Sequence, residues 1–449
     1  MAVEDVDLIV VGSGQGGVPL AVDFAKAGKR VVLFERSHLG GTCVNVGCTP
    51  SKAFLASAHN AGRARDAAEI GVHCDVRVDV PAVMRRVKAV RGEWKDGVTK
   101  RLAAAGVRVV MAEAHFTAVR TLQGGATEVR APLVVLDTGT SPACPPIEGL
   151  QETNYLTNET FFDLNDLPKR IVIIGGGYVG LELGQGCRRL GSTVTILETG
   201  KRLIPREDED ATEVIAQALR DDGVDLRVGL SASCLQAGTA ITVRLEDGSE
   251  IETDAILVAA GRTPNTAALD CAKSGVTLTE RGFVQIDPHF RTTCEGVYAI
   301  GEVAGQPAFT HVAWEDYRRV KDVIAGGTRT RDDRVLGYST FTEPQLGRVG
   351  MNESEAKAKG HTVRVATLQL ADDARGTEWN LPRGFYRLVV DATTDAILGA
   401  TLVGYEAGEI VHAILAHMEA GSTWRTLERS VHIHPTFSEA LPTLARQFL

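Results

Sequence analysis

Aromatic residues are scarce, at 5% of 449 positions, and no run of about 20 apolar residues occurs anywhere. The second shortage removes a bilayer-spanning helix, which needs that length to cross the hydrocarbon core. The opening stretch, Met1-Ala2-Val3-Glu4-Asp5, lacks both the positive segment and the apolar core of an export signal, so a cytoplasmic protein is expected. Positive charge is also in deficit: 48 Lys and Arg face 57 Asp and Glu, for a formal net charge of −9. That balance argues against general affinity for nucleic acid or an anionic membrane, and Arg85-Arg86 and Arg318-Arg319 read as solvated helix faces. Clustered cysteines are missing apart from one pair, Cys43 and Cys48, so the four ligands of a structural zinc site are absent and no metal site is expected. The other six, Cys74, Cys144, Cys187, Cys234, Cys271 and Cys294, read as reduced, buried small apolar residues.

Glycine, in contrast, is plentiful at 47 residues, beside 44% hydrophobic content. Together they suit an α/β enzyme with many tight strand-to-helix turns, and the length exceeds one ordinary core, which points to two to four domains. The apolar run at 7–11 meets Gly12-Ser13-Gly14-Gln15-Gly16-Gly17 and then a helical pattern from Val18 to Ala27. Strand, glycine-rich turn and helix form a dinucleotide fingerprint, in which Gly12, Gly14 and Gly17 let the backbone approach a pyrophosphate at a helix N-terminus. A second strand ends at Glu35, 35 − 12 = 23 residues beyond Gly12, where a ribose hydroxyl needs an acceptor. The whole pattern repeats: Arg170 to Ile174, then Gly175-Gly176-Gly177-Tyr178-Val179-Gly180, then a strand to Glu198, again 198 − 175 = 23. Glu198 can accept from a free ribose hydroxyl and would repel a 2′-phosphate, which favours NADH. Lys201 and Arg202 keep NADPH as the alternative.

Between the two folds lies Gly40-Gly41-Thr42-Cys43-Val44-Asn45-Val46-Gly47-Cys48-Thr49-Pro50-Ser51-Lys52. Two cysteines five positions apart, in a glycine-rich run that becomes a helix at Pro50, can close a small disulfide ring and reopen it. A thiol at a helix start near a lysine has its thiolate favoured. Two nucleotide folds flanking a redox pair imply two dinucleotides exchanging electrons.

This segment closely resembles the active-site run of the flavin-dependent pyridine nucleotide–disulfide oxidoreductases, the family of lipoamide dehydrogenase, glutathione reductase and mercuric reductase. The resemblance implies two Rossmann-like dinucleotide-binding domains plus a C-terminal α+β dimerisation domain. FAD would be held by 1–150 and 269–328, the nicotinamide nucleotide by 151–268, and the second subunit by 329–449. Cys43 resembles the interchange thiol that attacks the acceptor and Cys48 the thiol against the flavin, with Gly41 and Thr42 beside it. Lys52 resembles the lysine near flavin N5 and Glu182 its paired carboxylate, while Tyr178 resembles the tyrosine that covers the flavin until nicotinamide displaces it. Thr138-Gly139 and Gly261-Arg262-Thr263-Pro264-Asn265 are similar to family turns that bring the chain past the flavin. Gly296-Val-Tyr-Ala-Ile-Gly301-Glu302 is similar to a ribitol-binding motif that usually ends in Asp, so Glu302 departs by one methylene. Thr310 is expected to cap a helix through Ala313 and Trp314 that points at the flavin's pyrimidine end.

The tail His432-Ile-His434-Pro435-Thr436-Phe437-Ser438-Glu439 resembles the family's H-P-T-x-S-E motif. His434 would then be the acid/base and Glu439 its orienting carboxylate, arriving from the other subunit of a homodimer. Disulfide cleavage needs a proton delivered to the leaving thiol, work suited to a histidine. The acceptor stays open between a metal ion or small disulfide, as in the mercuric-reductase-like branch, and lipoamide, as in a 2-oxoacid dehydrogenase complex. Glu198 disfavours glutathione reductase, and the absence of C-terminal vicinal cysteines argues against efficient mercury detoxification. A purely structural subunit, or an NADH-sensing flavoprotein with weak turnover, fits less well with retention of both cysteines, His434 and Glu439. Two long helices are expected over 53–105, a small antiparallel meander over 107–137, a linker over 151–168 and a surface loop over 372–380. His59, His73 and His115 read as solitary residues in surface or packing roles.

Overall fold

The first apolar run builds β1 (Leu8–Val11), every residue of which is buried, and it turns at Gly12 into α1 (Gly17–Lys26) and then β2 (Val31–Glu35). The redox segment folds into a short helix α2 (Gly41–Asn45) and the long helix α3 (Cys48–Asp66), so the helix begins two residues before Pro50, at Cys48 itself. After α4 (Val80–Ala104), the strands β3 (Arg108–Met111) and β4 (Leu133–Leu136) extend the parallel sheet. These elements come from a computed structural model that describes residues 3–449; Met1 and Ala2 of the opening stretch lie outside the described residues. The meander expected over 107–137 is therefore only its middle, 114–130: β4 is a continuous apolar run, which suits a strand covered on both faces, and β3, exposed at Arg108 and Met111, pairs only with β2 at the edge of the same parallel sheet.

The second fold repeats the plan with β5 (Arg170–Ile174), α5 (Tyr178–Leu190), β6 (Thr193–Glu198), α6 (Glu209–Asp221), β7 (Asp225–Val228) and β8 (Ala255–Val258), in the sheet order β7-β6-β5-β8. The chain then returns to the first sheet as β9 (Val297–Ala299), giving the order β9-β4-β1-β2-β3, and enters α7 (Thr310–Ile324). A five-stranded antiparallel sheet from residues 337–404 follows. Its central strand Ile397–Gly404 is buried throughout, under the helix Ala407–Glu419. Parallel α/β layers followed by an antiparallel α+β unit match the expected fold class.

Packing between α3 and α5 positions the site. On α3, Phe54, Ala58 and Ala61 are buried at helical spacing. A Cβ on Gly186 would collide with the Phe54 ring, and one on Gly62 would stand 2.8 Å from the Arg189 guanidinium, so two glycines permit the close approach. Phe161 meets Phe54 edge-on at 5.4 Å and Phe162 at 5.2 Å, a geometry that suits aromatic quadrupoles. Both belong to the 151–168 stretch, which is a wedge of the largest core around a short helix, Asn158–Phe161, more than a linker. Arg319 also departs from expectation: it is 4% exposed and paired with Glu315 and Asp333. Of the six other cysteines only Cys187, Cys271 and Cys294 are buried; Cys74 and Cys144 are exposed. His59 is not solitary: its ring lies against Arg189 and Glu343, and burial pushes its pKa down.

Candidate active site

Ser13, in the first glycine-rich turn, ties that turn to the redox segment. Its hydroxyl donates to Glu35 at 2.6 Å and accepts from the Gly40 amide at 3.0 Å. Gly40 and Gly41 hold φ of 104° and 61°, conformations an L side chain rarely adopts, and a Cβ on Gly41 would stand 2.7 Å from the Gly14 backbone. Gly12, at φ 101°, passes so close to the Asp137 carbonyl that no side chain fits, and Gly17 is equally crowded by the Gly12 carbonyl. These contacts frame a cavity of about 1090 Å³ that runs from Glu35 past Gly14, Thr42 and Cys43 to Glu302, Thr310 and Ala313. A glycine cradle on a helix N-terminus, an acid at the ribose end and a cysteine at the other suit an extended dinucleotide such as FAD.

Cys43 is half-buried in α2, whereas Cys48 opens α3, where the first helical amides have no side-chain cap. Both are free thiols. A hydrogen bond from the Cys43 thiol holds the Cys48 thiol down at about 6, against burial, with help from the Thr310 hydroxyl and the Lys52 charge and opposition from Glu182. The Cys43 thiol is pushed up by that same hydrogen bond, then by burial and the adjacent negative charge. Thr310 lies 3.1 Å from the Cys48 sulfur and does not cap α7; Phe309 occupies the cap position with no side-chain bond. The residue expected at a helix end thus serves the thiolate instead.

One turn along α3, Lys52 meets Glu182 at 2.7 Å and lies 4.5 Å over the Phe341 ring; Glu182 also accepts from the Phe341 amide at 2.9 Å. Glu302 faces the cavity, joined to the Thr140 hydroxyl and to Arg262 at 2.9 Å. Thr138 donates to the Asn265 carbonyl at 2.9 Å, and Gly139, at φ 61°, would meet nothing within 4 Å of an added Cβ. Gly261 takes φ 128° where the chain crosses back, as Arg262–Pro264 pairs with Thr140–Pro142. Gly301 packs its α-carbon toward Ala313 and donates its amide to Asp316 at 2.9 Å.

In the second fold, Gly175 and Gly180 are required by packing: a Cβ on either would strike the Ala259 or the Gly175 carbonyl. Gly177 has open space at that position, the room a phosphate needs to approach the backbone. Glu198 accepts from the Gly176 and Gly200 amides at 2.8 and 2.6 Å, while Arg202 turns to the Pro205 carbonyl. Tyr178 donates to Glu207 at 2.8 Å, beside Tyr338 at 2.7 Å and Arg348 at 3.1 Å; Arg348 is 1% exposed and the Glu207 side chain 0%. Sequence reasoning missed Glu207, Tyr338 and Arg348, which assemble only in three dimensions. It also missed Asp137, the acid that ends β4's apolar run just before Thr138-Gly139.

His434 Nδ1 lies 2.9 Å from Glu439, and its side chain is 72% exposed. Neither residue lines the cavity of Cys43. The 372–380 stretch is a short helix, Ala374–Glu378, capped by Asp373; Trp379 packs on Tyr405 and Phe437 under Arg375.

Comparison with known proteins accounts for this arrangement. Residues 6–316 match the family model described as pyridine nucleotide-disulphide oxidoreductase, and 337–445 match that family's dimerisation domain. A probable pyridine nucleotide-disulfide oxidoreductase, RclA, from Escherichia coli is 33% identical over 97% of this chain and 98% of its own. A dihydrolipoyl dehydrogenase from Thermus scotoductus is 34% identical over 97% and 95%, and a mercuric reductase from Staphylococcus aureus 31% over 99% and 82%. The solved structure titled Cu(II) complex of HOCl-induced flavoprotein disulfide reductase RclA from Escherichia coli superposes with a TM-score of 0.90, at 31% identity and 99% coverage of both chains. The chain therefore belongs to the pyridine nucleotide-disulphide oxidoreductases, NAD(P)H-dependent flavoproteins whose dimerisation domain pairs them as homodimers.

Proposed function

We propose that this protein passes two electrons from NADH, with NADPH the alternative donor, through FAD and the Cys43–Cys48 pair to a metal ion or small disulfide at Cys43. The observation that carries the proposal is the Cys43 thiol on the wall of a cavity suited to a dinucleotide, pushed up beside a Cys48 thiol held down to about 6. FAD, bound in 1–150 and 269–328, supplies the exchange between a two-electron hydride donor and a disulfide. Gly12, Gly14, Gly17, Glu35 and Glu302 hold it, while Gly177 and Glu198 in 151–268 hold the nicotinamide nucleotide. Lys52 keeps positive charge beside the flavin and is fixed there by Glu182.

The low-pKa thiolate belongs to Cys48, so Cys43 is the sulfur free to leave and attack. His434 takes the Cys43 proton and Cys43 attacks one sulfur of an external disulfide; a mixed disulfide forms and the other sulfur departs, taking that proton back from His434. The Cys48 thiolate then attacks the Cys43 sulfur, the Cys43–Cys48 bond re-forms and the second sulfur leaves as a thiolate. With Cu(II), two ions become two Cu(I), the same bond re-forms and the Cys43 proton is released. Glu439 at 2.9 Å orients His434. Because His434 is exposed and absent from its own chain's cavity lining, the partner subunit of a homodimer, held by 329–449, delivers it. The Escherichia coli RclA solved with Cu(II) supports the metal-ion reading. Glu198 and the histidine tail favour a second reading, dihydrolipoamide dehydrogenase, with the Thermus relative in support. We place the protein in the cytoplasm; no helix among the described residues is long and apolar enough to cross a membrane.

NADH consumption measured in parallel with Cu(II), Hg(II), glutathione disulfide and lipoamide separates these readings, with Cys43→Ser as control. Turnover with Cu(II) or a small disulfide, lost in the variant, is expected. Fast turnover with lipoamide alone overturns the acceptor assignment.

A further inference from the structure

Asp137 places a carboxyl group beneath the glycine-rich turn of the first nucleotide fold. The turn wraps over it: a Cβ on Gly14 would stand 2.7 Å, on Gly17 3.0 Å and on Gly16 3.4 Å from its oxygens. The residue is 7% exposed yet borders the dinucleotide cavity. Its Oδ2 accepts from the Gly17 amide at 2.7 Å, the first amide of α1. Among the described residues that is the only hydrogen bond its side chain makes, where an ionised carboxylate can accept about four.

The charged groups that face it are acids from three other elements: Glu35 on β2, Glu302 after β9 and Asp316 on α7. Arg262 is engaged with Glu302, and Arg334 with Asp316. Burial first, opposed by the Gly17 amide, and then the acids Asp316, Glu302 and Glu35 push the carboxyl up to about 8. A dinucleotide diphosphate adds further negative charge at the same helix N-terminus. An ionised Asp137 competes with it for the Gly17 amide and repels it. A neutral Asp137 keeps one acceptor on Gly17 and offers an O–H donor instead.

We propose that Asp137 couples flavin binding to proton uptake: wherever the unloaded Asp137 is ionised, FAD enters with one proton drawn from solvent onto its carboxylate, and the loaded protein carries Asp137 as a carboxylic acid. No bond to FAD forms. The inference rests on the assignment of FAD to this cavity.

Dilution of the purified full-length flavoprotein from about pH 6 to about pH 10, with released FAD read by its fluorescence, tests it. The FAD dissociation constant should be flat below about 8 and weaken about tenfold per pH unit above, the slope of one linked proton. Asp137→Asn preserves shape and the acceptor for Gly17 and should abolish the slope. Binding calorimetry in two buffers of different ionisation enthalpy near pH 9 should count about one proton taken up by the wild type, a result that needs no variant to fold. A flat wild-type profile with no proton uptake overturns the proposal, as does a slope that persists in Asp137→Asn. Failure to bind FAD at any pH would instead defeat the cofactor assignment.

Discussion

Thr310 supplies the Cys48 sulfur with a hydroxyl at 3.1 Å, and that contact has a measurable weight. Thr310→Val keeps the branched shape and removes the donor. A hydrogen bond to a charged group contributes about 1.5–3 kcal/mol, and one pKa unit corresponds to about 1.4 kcal/mol. Cys48 is exposed and water replaces part of the lost bond, so a rise of about one unit is expected, from about 6 to about 7. The sign follows from the anion: loss of a donor to the thiolate favours the thiol. A depressed thiol pKa stabilises the folded protein above the unfolded value and loses that contribution as pH falls through about 6, so the variant loses it about one unit higher. The thiolate–flavin absorbance band of the two-electron-reduced enzyme, titrated against pH, reports the midpoint directly. An unmoved midpoint would mean that Cys43 and α3 alone set the thiolate.

Cys48→Ser should abolish that band, while Cys43→Ser should retain it; persistence of the band in Cys48→Ser reverses the roles of the two thiols. His434→Ala should slow disulfide turnover by about 10²–10⁴-fold and leave flavin reduction by NADH unchanged, as stopped-flow traces of each half-reaction will show. Glu207→Ala strands the buried Arg348 guanidinium, at a cost of about 3–5 kcal/mol, visible as a lower unfolding midpoint; an unchanged midpoint would show that Glu355 suffices as its partner.

Much of this architecture is local in origin and therefore legible. Each nucleotide fold announces itself within 30 residues, since a strand, a glycine turn and a helix are neighbours in sequence. Lys52 and Glu182 lie 130 positions apart, yet family motifs paired them and the fold brings them to 2.7 Å. What escaped depends on long-range placement. Thr310 has the composition of a cap, and only the arrival of α3 beside α7 makes it a partner for sulfur. The Glu207 cluster draws Tyr178 from one fold and Tyr338 and Arg348 from another. Asp137 looks like a strand end until the glycine turn is seen folded over it. Phe161 and Phe162 were hidden in a segment whose polar neighbours suggested a linker, although both are buried to 1% or less.

The Ser13 hydroxyl has a consequence for anyone building chimaeras in this family. It is a hub joining Gly40 to Glu35, while the Gly41 and Gly14 backbones leave no space for a side chain between them. Residues 12–17, 35 and 40–48 thus behave as one cassette though they are three pieces of sequence. A grafted segment carrying any side chain at position 41 would press on the Gly14 backbone and displace the cysteines from the cavity, whereas moving all three pieces together should carry the redox device intact.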